Sequence, residues 1–524
     1  MKPLAAFHLL EPLDLELALD RYAPAFGRRK GTFLLDGAGG PHDGALARHA
    51  ILGAEPFRTF RASRTDERNE RGVRRARVVV GDEHGGVEAV VDDPLSVLRA
   101  LLAETKIDPS IYRAQPLPLM AGAVGYVGYE AGQMLERLPG LPRPRVAMPD
   151  IAFAFHSWVI GTSKVDNKSW LSVLGRGASE ADARRDAERT RARVLAVIER
   201  VHREARLDGR VSDLPASVVP RSDEDVQSRL DSAGLRASVA RDGYIRRVER
   251  AKEHIARGDA FEICLTAMLE GSFTHDAWEL YRELRRANPA PFAAWLDLPE
   301  GAIASSSPER FVRLGADRIA ESRPIKGTRP RGKNAQDDER IARELAASPK
   351  DRAENAMIVD LVRNDLGKVC RFGSVEVPEL YAVERYPTVH QLVSTVRGEL
   401  AKDRDAIDLL SACFPPGSMT GAPKIEAMSI LEALEPVERG VYSGALGFID
   451  ASGTMDASVV IRSAVVANGK VSVGVGGAIV ADSDPASEHA EALLKAKAIA
   501  DAIAAVASRS RAERRPRTYV DLTP

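Results

Sequence analysis

Asn468-Gly469 stands between two apolar runs, Val459-Val460-Ile461-Arg462-Ser463-Ala464-Val465-Val466 and Val471-Ser472-Val473-Gly474-Val475-Gly476-Gly477. Asn and Gly both tolerate positive φ, which a type I′ turn requires, and the twist of that turn matches the strands on either side. The pair therefore predicts a tight antiparallel hairpin between these two runs. The implied register sets Arg462 opposite Val475. An arginine among apolar strand residues, beside the bare backbone of Gly476 and Gly477, suits bidentate capture of a carboxylate. A surface arginine on a two-layer sheet is the alternative.

Helix signals accompany the strands. Ser348-Pro349-Lys350-Asp351 is a capping box with proline at the first helical position, and Gly367 closes the helix. Asp484-Pro485 opens another, which carries Glu488, Glu491 and Lys495 on one face. The charge alternation over residues 179–206 predicts an amphipathic surface helix, and residues 244–257 a helix closed by Gly258. Phe261-Glu262-Ile263-Cys264-Leu265 reads as the next strand. We divide the chain into residues 1–205, a polar linker or excursion at 206–240, a core at 241–506 that holds most of the chemistry, and a basic tail at 507–524.

Composition narrows the function. The 524 residues carry 74 Lys+Arg against 75 Asp+Glu, a net charge of -1, so no basic excess exists to hold a polyanion. Cys264, Cys370 and Cys413 lie far apart with no C-x-x-C pair, which argues against thiolate metal sites and disulfides and fits a reducing, cytoplasmic setting. No run approaches 18 apolar residues, and Glu11, Asp14, Glu16 and Asp20 interrupt the N-terminal stretch, so neither a membrane span nor a signal peptide is expected.

Glu354, three residues beyond Asp351, joins Glu488 and Glu491 as carboxylates on helix faces. Such oxygen donors could hold a hard divalent cation if the faces converge; from spacing alone such faces are more often solvated surfaces, and Asp351 reads as a cap before a ligand. Lys326, in Pro324-Ile325-Lys326-Gly327-Thr328-Arg329, would need burial or neighbouring cations, Arg323 and Arg329, to lose its proton and act as a nucleophile. The stretch Gly417-Ser418-Met419-Thr420-Gly421-Ala422-Pro423-Lys424 departs from the phosphate-loop spacing, so nucleotide binding is not expected.

Taken together these segments resemble the chorismate-utilising family, which includes anthranilate, aminodeoxychorismate, isochorismate and salicylate synthases. The resemblance rests on Ser307-Pro308-Glu309-Arg310-Phe311, Pro324 to Thr328, Asp351-Arg352-Ala353-Glu354-Asn355, Phe414 to Lys424, Tyr442-Ser443-Gly444, Ile461-Arg462-Ser463 and Gly476 to Lys495. It covers about residues 240–500, and more weakly Phe33-Leu34-Leu35-Asp36 and residues 122–130. It implies an α+β fold: a large sandwich of two mainly antiparallel sheets flanked by helices.

Lysine in the Pro-Ile-x-Gly-Thr slot, here Lys326, and the Phe261-Glu262-Ile263-Cys264-Leu265-Thr266 phrase resemble the aminodeoxychorismate branch. For that branch the resemblance implies Mg2+ held by Glu354, Glu488 and Glu491, Glu309 as general acid or base, and Lys326 as a nucleophile that forms a covalent chorismate adduct. Arg462, Tyr442 and the Gly476 amide would bind the enolpyruvyl carboxylate, with Gly327, Thr328, Ser418, His390 and Lys495 lining the pocket. No glutaminase elbow occurs, so a separate glutamine amidotransferase is the expected ammonia source. Leu34-Leu35-Asp36-Gly37 lacks the serine of feedback-regulated relatives, and the sequence leaves tryptophan control open. Anthranilate synthase component I is the alternative, isochorismate and salicylate synthases are further ones, and a non-catalytic chorismate-binding scaffold is the remotest.

Overall fold

The computed structural model describes residues 5–27, 31–37, 47–82, 85–112, 114–144, 147–207, 225–386 and 389–514. Two sheets of twelve strands each dominate, and every paired strand within them is antiparallel. Strands buried on both faces explain why their sequences read as nearly continuous apolar runs. Phe33 and Ile51 point into the layer between the sheets with Val124, Tyr126 and Phe448 of the opposing sheet. Their neighbours Leu34 and Leu52 point the other way, onto the helices Glu180–Leu207, Ala277–Ala287 and Lys497–Arg514. The second sheet is covered in the same manner by Pro94–Thr105, Pro349–Gly367 and Ala406–Cys413. This is the helix-flanked antiparallel sandwich that the resemblance implies.

Both sheets run through both halves of the chain. Strand Thr32–Asp36 pairs with Phe292–Leu298, and Gly122–Val127 pairs with Ala445–Asp450, so residues 1–205 and 241–506 share one body. Of the stretch 206–240, residues 208–224 lie outside the described residues; the remainder is packed, with helix Val226–Ser232 burying Leu230, and with Leu235 buried after it. The helix Lys497–Arg514 extends into the region read as a tail, and residues 515–524 lie outside the described residues.

The Asn-Gly turn is present, with Asn468 at φ 50°, Gly469 at φ 73°, and Ala467 paired to Lys470. The strand before it is not the single run that alternation suggested. Met455–Val459 belongs to one sheet and Ser463–Ala467 to the other, so the chain crosses between sheets at Val460-Ile461-Arg462. Arg462 takes a left-handed φ of 50° in that crossover and lies outside the ladder, which corrects its placement opposite Val475. A second crossover, Pro308-Glu309, joins Gly301–Ser307 to Arg310–Leu314.

Candidate active site

The two crossovers lie side by side at one end of the sandwich. Val459 donates its backbone N–H to the Glu309 carbonyl at 3.0 Å, and Ser306 donates to the Arg462 carbonyl at 3.1 Å. Segment Tyr442-Ser443-Gly444 joins them, Ser443 N–H bonding Val460 O and Val460 N–H bonding Gly444 O. Three motifs far apart in sequence thus meet where the chain changes sheet.

Glu309 is buried, and burial pushes its carboxyl up to about 7, against a hydrogen bond from Ser418 and the positive charges of Lys326 and Arg462. A carboxyl that titrates near neutrality can both give and take a proton there. Burial in turn lowers the pKa of Arg462, which Glu309 partly restores. Glu309, Gly417, Ser418, Pro324, Phe311 and Val459 border a small cleft.

Lys326 comes from strand Ile325–Pro330 of the second sheet, whose pairing with Val389–Glu399 slips register between Ile325 and Thr328. Gly327, at φ 83°, makes the bulge possible. A Cβ there would also lie 2.8–3.0 Å from the Asp351 side chain, so glycine is required twice over. The bulge directs Lys326 to Glu262, the first residue of Glu262–Ser272 in the other sheet, with Nζ 2.6 Å from Oε1. Thr328 is exposed on the Lys326 strand.

The electrostatics of Lys326 differ from the sequence expectation. Arg329 is engaged by Asp351 at 2.6 Å, and Arg323 by Glu384, so each neighbouring cation is paired with a carboxylate of its own. Burial favours the neutral amine, but Glu262, Cys264 and Glu354 outweigh it and raise the pKa of Lys326 well above the ordinary lysine value. The free protein therefore holds Lys326 as an ammonium ion.

Carboxylates gather around this lysine. Burial raises Glu354, on Pro349–Gly367, and the pull of Lys326 only partly offsets it. Glu491, exposed on Pro485–Leu494, is lowered because Lys495, Lys350 and Lys326 outweigh its partial desolvation. Both residues feel the positive charges of Lys326 and Lys350, so the two helices turn a carboxylate toward the same pair of lysines. Glu488 is buried on the same helix as Glu491 and accepts a 2.7 Å hydrogen bond from Ser483. Its Oε2 lies 3.2 Å from where a Cβ on Gly477 would stand. The donor chemistry fits a hard cation such as Mg2+. Among the described residues, no three His, Cys, Asp or Glu side chains already stand close enough together to hold one.

Lys495 donates to the Gly476 carbonyl at 2.8 Å and pairs with Glu491 at 3.0 Å. Gly476 has no room for a side chain, since a Cβ would lie 2.4 Å from the Leu265 carbonyl. Tyr442 lays its ring over Gly474, where a Cβ would come within 2.0 Å of ring carbon. Gly474→Ala is therefore expected to displace Tyr442 and to destabilise the fold by about 1–3 kcal/mol, read as a lower urea midpoint together with a raised substrate KM. His390 is fully buried with Nε2 2.8 Å from Asp338, which Arg331 grips through both oxygens, so its ring is anchored to helix Ala335–Ala347.

Sequence reading overlooked two residues as parts of the site. Glu262 was legible only as an acidic residue in a family phrase; its ion pair to Lys326 joins the two sheets. Arg439, fully buried, bonds both oxygens of Glu435 and the carbonyls of Met419 and Cys264, with its guanidinium 4.1 Å from the centre of the Tyr129 ring. Through those carbonyls it fixes the backbone next to Ser418 and Glu262, and no local motif distinguishes it from a surface arginine.

Comparison with known proteins agrees with this geometry. Residues 48–501 match the family described as chorismate binding enzyme. The aminodeoxychorismate synthase of Streptomyces pristinaespiralis is 45% identical over 388 residues, covering 73% of this chain and 50% of that protein. This chain thus spans about half the length of several curated relatives that it matches. Anthranilate synthase component 1 of Streptomyces coelicolor is 38% identical over 508 residues, 95% of this chain and 90% of that one. The crystal structure of anthranilate synthase component I from Streptococcus pneumoniae superposes with a TM-score of 0.68 at 28% identity, covering 87% and 92% of the two chains. The two-sheet sandwich, the crossover site and these matches agree: the chain belongs to the chorismate binding enzyme family.

Proposed function

We propose that the chain aminates chorismate to 4-amino-4-deoxychorismate, using ammonia from a glutamine amidotransferase partner in the cytoplasm. The observation that carries this reading is Lys326, buried between the sheets within reach of Glu262 and electrostatically coupled to Glu309. The 45% identity to an aminodeoxychorismate synthase supports it. In this reading Arg462, Tyr442 and the Gly476 amide hold the enolpyruvyl carboxylate, and Gly327, Thr328, Ser418, His390 and Lys495 line the pocket. Glu309 gives its proton to the departing C4 hydroxyl. Lys326 attacks ring carbon C2, and ammonia then adds at C4 as the lysine leaves, so the nitrogen ends para to the ring carboxylate. Splitting the displacement into two steps retains the C4 position.

Glu354, Glu488 and Glu491 would hold Mg2+, which would supply Lewis-acid polarisation of the substrate. Glu491→Gln is expected to raise the Mg2+ concentration for half-maximal rate about tenfold or more, and an unchanged titration would place the metal elsewhere.

Anthranilate synthase component I is the second reading, favoured by the relative that matches 95% of this chain. The deciding experiment gives the purified chain chorismate, Mg2+ and an ammonium salt and identifies the product by mass and fluorescence. A non-aromatic amino product convertible to 4-aminobenzoate supports the proposal; fluorescent anthranilate replaces it with the second reading; no turnover favours a chorismate-binding scaffold.

A further inference from the structure

Glu262 has no assigned part in the reaction, yet it is the residue in hydrogen-bond contact with the Lys326 nitrogen. It is 0% exposed, and its Oε1 lies 2.6 Å from Nζ. Its second oxygen, Oε2, is buried with no hydrogen-bond partner. One oxygen thus touches the lysine nitrogen while the other keeps its lone pairs unused, so the carboxylate is placed to accept a proton from Nζ. Lys326 has the opposite need: as an ammonium it carries no lone pair and cannot attack carbon. The cations that could expel its proton are occupied elsewhere, Arg329 with Asp351 and Arg323 with Glu384.

We propose that Glu262 is the general base that converts Lys326 from ammonium to nucleophile. The inference rests on the amination reading above. In the step, an Nζ–H bond of Lys326 breaks and an O–H bond forms on Glu262. The freed lone pair makes the Nζ–C2 bond, the ring double bonds shift, and the C4–O bond breaks with its electron pair. Glu309 protonates the departing oxygen, which leaves as water. When ammonia later adds at C4, the C2–N bond breaks, lysine leaves as the neutral amine, and Glu262 returns its proton to it. Ammonium supplies the proton that restores Glu309, so the sum is chorismate plus ammonium giving the amino product plus water.

The transfer occurs inside one contact. Around Lys326 stand Glu262, Glu354, Glu309, Glu491 and the Cys264 thiol, which come from one strand of the opposing sheet, the Pro308-Glu309 crossover and both carboxylate-bearing helices.

The test compares product formation by the full chain and by Glu262→Gln from pH 7 to 9, with ammonium, chorismate and Mg2+ supplied. Without the carboxylate, the lysine proton must go to solvent. At pH 7 the variant is expected to be about 100-fold slower. The ratio of variant to wild-type rate should then climb about tenfold per pH unit until the lysine titrates; the ratio cancels the separate titration of Glu309. A pH-independent ratio would mean a purely structural salt bridge and overturns the proposal, as does a variant with wild-type rate at pH 7. Should Glu262→Gln not fold, Glu262→Ala with added formate takes its place: saturable rescue supports the proposal and absence of rescue overturns it. Lys326→Ala in the same assay separates the two claims. If that variant is fully active, the amination reading by a lysine adduct falls and Glu262 with it; if it is inactive while Glu262→Gln matches wild type, only the role of Glu262 is lost.

Discussion

Lys326→Ala is expected to reduce amination of chorismate by on the order of 10³-fold or more, because removing a nucleophile removes the whole covalent route. The substitution also strands Glu262 as an unpaired charge in a site where that residue is fully buried. Breaking a buried pair from one side costs about 3–5 kcal/mol. Lost stability and lost chemistry must therefore be separated. The double variant Lys326→Ala with Glu262→Gln removes both charges; it is expected to regain most of the melting temperature and none of the activity. Full amination by the single variant would remove the adduct from the mechanism. A shift of the product to anthranilate would show that the lysine directs where nitrogen enters, not whether it does.

Glu309→Gln should lower kcat by about 10²–10⁴-fold, the usual worth of a positioned proton donor. The pH profile offers a check on the wild-type protein: a donor that titrates at about 7 loses its proton above that value, so the acid limb of the reaction should fade as pH rises through neutrality. Stability moves with it. The folded pKa lies above the unfolded one, so the folded state binds the extra proton, and stability falls as pH rises from about 4.5 to about 7. Ionised Glu309 then costs the fold on the order of 3 kcal/mol. The glutamine variant lacks that cost and should melt higher than wild type at pH 8 yet match it at pH 4. Equal melting curves at pH 8 would show that Glu309 is better solvated than its surroundings imply.

Several parts of this site were legible in sequence because the cause is local. Ser348 and Asp484 accept from amides three residues ahead, at Asp351 and Ser487. Those caps place Glu354 on one helix and Glu488 and Glu491 on another. The Asn468-Gly469 turn is equally local, since two adjacent positive φ angles decide it. Arg462 shows where that logic stops. Alternation carries no mark of a change of sheet, because Val459, Val460, Ala464 and Val465 are buried on either side of the crossover.

The sequence by itself determined the helix and turn signals, the order of the family motifs and, through them, the helix-flanked antiparallel sandwich. Tertiary structure alone decided which charges meet. The cations adjacent to Lys326 in the chain are bound by Asp351 and Glu384, whereas Glu262, 64 positions away, lies against its nitrogen. That contact reversed the expected direction of the lysine pKa. The physical reason is that Coulomb interactions follow distance in space and local dielectric, and neither is written in sequence spacing once two sheets fold face to face.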